Sequence, residues 1–204
     1  MNHAKFITFE GIDGAGKSSH VELARTIISS AGFSVLCTRE PGGTMLGEKV
    51  RELFLAHAMS PHTEALLVFA ARREHLEKVV WPALTRGEWV LCDRFTDATM
   101  AYQGAGRQIG AEFVDALASL VHPGFVPDMT LLFDLPPDAA QDRVAGRGAA
   151  DRIEAESVAF HERVRRAYLE RAAAEPQRIR VLDTRESKQA VADRVAGYVE
   201  ALLP

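Results

Sequence analysis

Residues 5–19 read KFITFEGIDGAGKSS. The apolar run Phe6 to Phe9 has the character of a strand, and Gly11 to Ser18 fits G-x-x-x-x-G-K-[ST], the loop that cradles phosphates in nucleotide-binding proteins. Gly11, Gly14 and Gly16 let the backbone turn sharply and bring its N–H groups close to an anion. Gly11, Ile12, Asp13, Gly14, Ala15, Gly16, Lys17 and Ser18 are therefore the candidate nucleotide-binding residues. Lys17 supplies a mobile positive charge for the terminal phosphates, and the Ser18 hydroxyl can ligate Mg²⁺. A helical pattern follows through Val21, Ala24, Ile27 and Ile28, so the positive end of a helix points at the same phosphates.

The surroundings of this loop are ordinary for an α/β protein. A chain of 204 residues is long enough for one sizeable core and short for two. Its net charge of −4 disfavours a general nucleic-acid binder, so an anion site has to be a local cluster of Arg and Lys. No apolar run reaches the length of a membrane span, and the N-terminus has no signal-peptide core. Cys37 and Cys92, at the ends of expected strands, read as small core residues with no disulfide or metal spacing, which fits a reducing cytoplasm. The seven histidines are scattered, form no ligand pair, and read as mostly surface residues.

Strand-like runs at 6–10, 34–38, 89–92, 129–134 and 179–182 alternate with helical runs at about 17–31, 46–57, 61–86, 96–103, 110–121, 137–146, 154–174 and 187–203. The strands are short and apolar, as strands covered on both faces are. The alternation implies an α/β fold, a parallel five-stranded sheet with helices on both faces, and ligands beyond the carboxyl ends of its strands. Those ends carry the notable residues. Thr38 to Thr44 (TREPGGT) follows the second strand, Asp93-Arg94 closes the third, and Asp134 closes the fourth. Asp93 is the candidate carboxylate for a nucleotide's Mg²⁺, directly or through water, with Asp134 a lower-ranked rival and Arg94 facing a second phosphate. Residues 143–152, RVAGRGAADR, form a small basic segment that can close over phosphates, with Arg147 between Gly146 and Gly148.

Taken together, EGIDGAGKS, TREPGGT, FAARREH, LCDRFTD, AYQGAGR and RGAADRIE, in that order, resemble the thymidylate kinase family over nearly the whole chain. The resemblance implies a single P-loop kinase domain with a short lid at about 143–152, transfer of the ATP γ-phosphoryl group to dTMP with Mg²⁺, and a cytoplasmic homodimer that binds neither nucleic acid nor membrane. By the same resemblance Lys17, Asp93, Arg94 and Arg147 are the catalytic set, with the arginine carried in the lid because Gly14 occupies its slot in the phosphate loop. Asp13 is placed at the acceptor's 3′-hydroxyl, Arg94 and Arg51 at its phosphate, Arg72 and Gln103 at the thymine edge, Thr99 near the base, and Tyr102 where a ribose 2′-hydroxyl would lie.

One departure bears on the base site. The family often has an aromatic residue four before the base-reading arginine, whereas here Val68 fills that slot and Phe69 comes one later. Either Phe69 stacks in register with Arg73, or Val68 lies beneath a base read by Arg72; Arg73-Glu74-His75 keeps the family's register and favours Arg72. Rival expectations are another nucleoside monophosphate kinase and, further off, a P-loop nucleotide switch; the chain has no N-K-x-D-like guanine reader.

Overall fold

The computed structural model describes residues 4–144 and 151–204. Five strands, β1 (Phe6–Glu10), β2 (Val35–Arg39), β3 (Trp89–Asp93), β4 (Met129–Asp134) and β5 (Ile179–Asp183), form one parallel sheet in the order β2-β3-β1-β4-β5. β1 sits in the middle, and the chain order reverses on either side of it. That makes its carboxyl end the crevice in which open α/β sheets hold ligands. β1 and β4 are buried along their whole length, which explains their unbroken apolar character. β2 and β5 are the edges and are only partly covered.

The helices are α1 (Lys17–Ser30), α2 (Met45–Ala56), α3 (Pro61–His75), α4 (Trp81–Thr85), α5 (Thr96–Thr99), α6 (Ala111–Val121), α7 (Pro137–Val144), α8 (Val158–Ala174) and α9 (Lys188–Glu200). Side-chain caps mark several starts: Thr44, Ser60, Ser157 and Ser187 each accept a backbone N–H from the first turn of the helix they precede. The Ser60-Pro61 pair gives α3 both a cap and a preset first residue.

Several boundaries differ from the sequence expectation for identifiable reasons. The helix expected over 154–174 begins at Val158, because Asp151 Oδ1 accepts the N–H groups of Ile153 and Glu154 and holds that stretch in a turn. The run expected over 61–86 is helical throughout but passes through a π-helical turn at Leu76–Val80 before α4. Pro82, which has no N–H to continue an α-helical ladder, lies in the first turn of α4. A second π-helical stretch, Met100–Gly106, extends α5 past the expected end at 103.

Two readings of residue type are corrected. Among the described histidines, His20, His75, His122 and His161 are buried, not on the surface, because each has a polar partner or an aromatic neighbour in place. Cys92 is a core residue as expected, but Cys37 is exposed, since β2 is an edge strand.

Candidate active site

The loop after β1 wraps over the start of α1 with Gly11, Gly14 and Gly16 at φ 129°, 83° and 92°. Gly11 also passes so close to β4 that a Cβ there would lie 2.4 Å from the Phe133 carbonyl oxygen. Lys17 folds back across the loop, its Nζ donating to the carbonyls of Gly11 (3.0 Å) and Ile12 (3.2 Å). Burial, then the nearby Arg94 charge, pulls its pKa below the ordinary lysine value. The His20 Nδ1–H donates to the Gly16 carbonyl at 2.8 Å, bracing the loop from the first turn of α1. The cavity over this loop is lined by Asp13 to His20 and, from the end of β3, by Asp93. Asp93 Oδ1 is buried and has no hydrogen-bond partner among the described residues. Asp134, the rival carboxylate, is taken at both oxygens by Arg165 (2.7 and 2.8 Å), so it serves an ion pair.

A second cavity opens between α2, α3, α5 and the π-helical stretch after α5, and it shares Asp13 and Glu154 with the first. Arg94 stands at the junction. It is a non-glycine residue at φ 69°, and its Nη2 donates to Asp13 at 2.9 Å while its guanidinium lies 4.8 Å over the Tyr102 ring. Loss of water around Asp13 would raise its carboxyl, but the Arg94 and Lys17 charges override that and hold it well below the usual range. Arg51 reaches the same cavity from α2, donating to the Pro41 carbonyl at 3.2 Å. Burial, then the charges of Arg39 and Arg94, pulls Arg51 down from its ordinary value, so these cations crowd one another at the cavity.

At the far end of this cavity Arg72 is 1 % exposed and held by its Nε, its Nη2 and both faces of its guanidinium. Its guanidinium lies between the rings of Phe69 (4.6 Å) and Phe95 (4.8 Å), Nε donates to Glu40 (2.6 Å), and Nη2 donates to Thr99 (2.9 Å). His75 Nδ1 bonds the other Glu40 oxygen at 2.8 Å. Burial would raise the Glu40 carboxyl, but Arg72 and His75 together hold it below the ordinary carboxylate value. Arg72 Nη1 and the Tyr102 hydroxyl, both on residues that line the cavity, are buried without a hydrogen-bond partner among the described residues. Burial pushes the Tyr102 phenol up, so it is a neutral donor.

The structure thus brings together Asp13, Arg51, Arg72, Arg94, Thr99, Tyr102 and Gln103 as cavity-lining residues. It resolves the Val68/Phe69 alternative in position: Val68 lines the cavity, whereas Phe69 packs behind Arg72 and stacks on His122. Phe69, expected among the acceptor-binding residues, does not line the cavity. One helical step of rotation, about 100°, accounts for the difference. Arg147 lies outside the described residues.

Several residues that build the site were not singled out from the sequence. Glu10, at the end of β1, accepts the Phe95 N–H (2.7 Å) and the Tyr168 hydroxyl (2.7 Å). Burial, then the neighbouring Asp97 charge, pushes Glu10 up to about 8. Glu64 on α3 pairs with Arg107 and Arg152. A signal for the α3 residues existed: Glu64, Val68 and Arg72 recur at i, i+4 and i+8, one buried face carrying charge at both ends.

A phosphate loop facing an unpaired aspartate, joined through a shared carboxylate to an arginine-lined cavity, defines a P-loop phosphotransferase with a small phosphorylated acceptor. Comparison with known proteins gives the family. The thymidylate kinase family profile matches residues 9–195. The chain is 54 % identical over 198 residues to a thymidylate kinase of Thiobacillus denitrificans, covering 97 % of each chain. It is 52 % identical to the thymidylate kinase of Bordetella pertussis, covering 98 % of this chain and 96 % of the relative, and 53 % identical to that of Cupriavidus necator, covering 97 % and 98 %. The chain belongs to the thymidylate kinase family, and it is an ATP-dependent phosphoryl-transfer enzyme. Among the described residues no helix is long and apolar enough to cross a membrane.

Proposed function

We propose that this protein transfers the γ-phosphoryl group of ATP to dTMP, giving dTDP and ADP, by direct in-line displacement. The observation that carries the reading is that the two cavities share Asp13, with Lys17 on one side of it and Arg94 on the other. Donor and acceptor phosphates placed in these cavities meet end to end. The loop N–H groups and Lys17 hold the ATP phosphates. Arg94 and Arg51 hold the acceptor phosphate, and Asp13 accepts from the sugar 3′-hydroxyl. Arg72 offers its free Nη1 to a thymine carbonyl, Gln103 reads the adjacent ring edge over Val68, and the Tyr102 side chain fills the space a ribose 2′-hydroxyl needs. Thr99 acts on the base through Arg72. Positioning and charge carry such a transfer, so no strong general base is required.

The residues present fit a divalent cation, which we take to be Mg²⁺. Asp93 Oδ1, buried and without a hydrogen-bond partner among the described residues, and Ser18 line the same cavity over the phosphate loop and offer hard oxygen donors. Ser18 and Asp93 would hold the ion, which when bound neutralises charge on the donor phosphates. Arg147 is proposed as the arginine that neutralises charge on the transferred group.

We further propose one domain, a cytoplasmic location and a homodimer. Leu66 on α3 is 52 % exposed and Leu120 on α6 is 78 % exposed, on two helices that pack together, an apolar face suited to a second copy. Light scattering on the purified chain reads that state directly.

ADP production measured with dTMP, dUMP, dCMP, dAMP and dGMP in turn tests the reading. The expected result is fastest turnover with dTMP and negligible ADP without an acceptor. Equal rates across the panel, or ATP hydrolysis independent of acceptor, would contradict it.

A further inference from the structure

Gln103 can read a base only if its amide faces the right way, and the two ends of an amide are opposite in hydrogen-bonding sense. The neighbour that decides this is Glu64, a carboxylate 1 % exposed in the first turn of α3, on the buried face that it shares with Val68 and Arg72. Three donors surround it, making four contacts. Arg152 Nη1 reaches Oε1 at 2.7 Å, Arg107 Nε reaches Oε1 at 3.0 Å and Oε2 at 3.3 Å, and Gln103 Nε2 reaches Oε2 at 3.3 Å. Both arginines are anchored elsewhere as well: Arg152 donates to the Phe54 carbonyl at 2.8 and 3.0 Å, and Arg107 pairs with Glu156.

We infer that Glu64 is a positioning residue that fixes the orientation of the Gln103 amide and so sets which base the acceptor cavity takes. A carboxylate flanked by two guanidinium groups can only accept, so Gln103 must turn its NH₂ toward Glu64. That leaves the Gln103 carbonyl oxygen as the end available to the cavity, and it has no hydrogen-bond partner among the described residues. A carbonyl in that place accepts from a ring N–H, as thymine and uracil carry at N3, and repels the bare ring nitrogen of cytosine. Arg72 Nη1, a donor, requires a carbonyl at the neighbouring ring position. The pair therefore presents donor then acceptor, the complement of a 4-oxo pyrimidine. This rests on the proposal that a pyrimidine monophosphate occupies this cavity.

The test compares dTMP with N3-methyl-dTMP, in which a methyl group replaces the N3 proton and both ring carbonyls are kept, as acceptors for the wild-type enzyme and for Glu64→Gln. Glutamine at 64 can donate as well as accept and no longer dictates the Gln103 orientation. The wild-type enzyme should prefer dTMP by about tenfold or more in kcat/KM. In Glu64→Gln that preference should shrink toward unity, mainly through a higher KM for dTMP, and Glu64→Asp should restore part of it. A Glu64→Gln enzyme that is slower with both substrates but keeps the wild-type preference would reduce Glu64 to a structural role and overturn the inference. A wild-type enzyme indifferent to the N3 proton would overturn the base reading itself. Because losing a buried carboxylate between two arginines can prevent folding, a second measurement uses the unaltered protein: dTMP binding should shift the Gln103 side-chain carbonyl carbon resonance and leave its amide protons near their free positions. The reverse pattern would overturn the inference.

Discussion

Arg94 adopts a backbone conformation that a non-glycine residue holds at a cost of about 1–3 kcal/mol. Its position is imposed by the end of β3, where its N–H donates to the Phe9 carbonyl at 3.0 Å, and by the Asp13 carboxylate that takes its guanidinium. Glycine relieves the backbone cost but cannot replace the side chain. Arg94→Gly should therefore be more stable than Arg94→Ala by roughly 1 kcal/mol, while both lose about 10² or more in kcat/KM for dTMP. Paired denaturation and kinetic measurements check this, and Arg94→Ala being the more stable of the two would remove the strain argument. Glu10 gives a pH prediction. Its folded pKa of about 8 lies above the unfolded value of 4.5, so between those values the folded state binds the proton more tightly. Its contribution to stability is full below pH 4.5 and is lost as pH rises through 8. Glu10→Gln has no such proton to lose, so its melting temperature relative to wild type should rise between pH 5 and pH 8.5 in thermal scans; a constant difference would show that Glu10 does not titrate there.

At the scale of elements, the phosphate loop illustrates what a sequence states openly and what it does not. Its glycines and lysine are legible because the chemistry of gripping phosphate permits few alternatives at that spacing. The reason Gly11 must be glycine is not local: β4 runs behind it, and a methyl group would press into the Phe133 carbonyl at a φ of 129°. Gly11→Ala should cost about 1–3 kcal/mol in stability, and nucleotide affinity with it, measurable by denaturation and by ATP titration; wild-type values for both would show that the loop has slack. The strands and the alternation were readable because burial on both faces leaves apolar runs. What periodicity could not supply was the rotational phase of α3 to within one residue. Val68 and Phe69 are chemically similar as wall material, and only the packed structure shows Phe69 turned behind Arg72. The buried acids Glu10, Glu40 and Glu64 escaped for a related reason. Each pairs with groups far along the chain, as the separation of 32 positions between Glu40 and Arg72 shows.

At the scale of the whole molecule, the site exists because β1, at the centre of the sheet, ends between β3 and β4 and delivers the phosphate loop beside Asp93 and Arg94. Helices α2, α3 and α5 then wall the acceptor side. Arg147, proposed to act on the transferred group and not on the resting acceptor, should show this division in kinetics. Arg147→Ala should lower kcat by about 10³ with little change in the dissociation constant of dTMP; an unchanged kcat would contradict its role. The account as a whole stands on two phosphorylated ligands meeting at Asp13, and a single ligand can ask for both at once. Adenosine and thymidine joined through an oligophosphate bridge should bind far more tightly than ATP or dTMP alone. A crystal structure of that complex should place the thymine against Arg72 and Gln103 and the bridge across Asp13 to the phosphate loop. A bridged ligand that binds no better than ATP, with its thymidine outside the Arg72 cavity, would contradict the account.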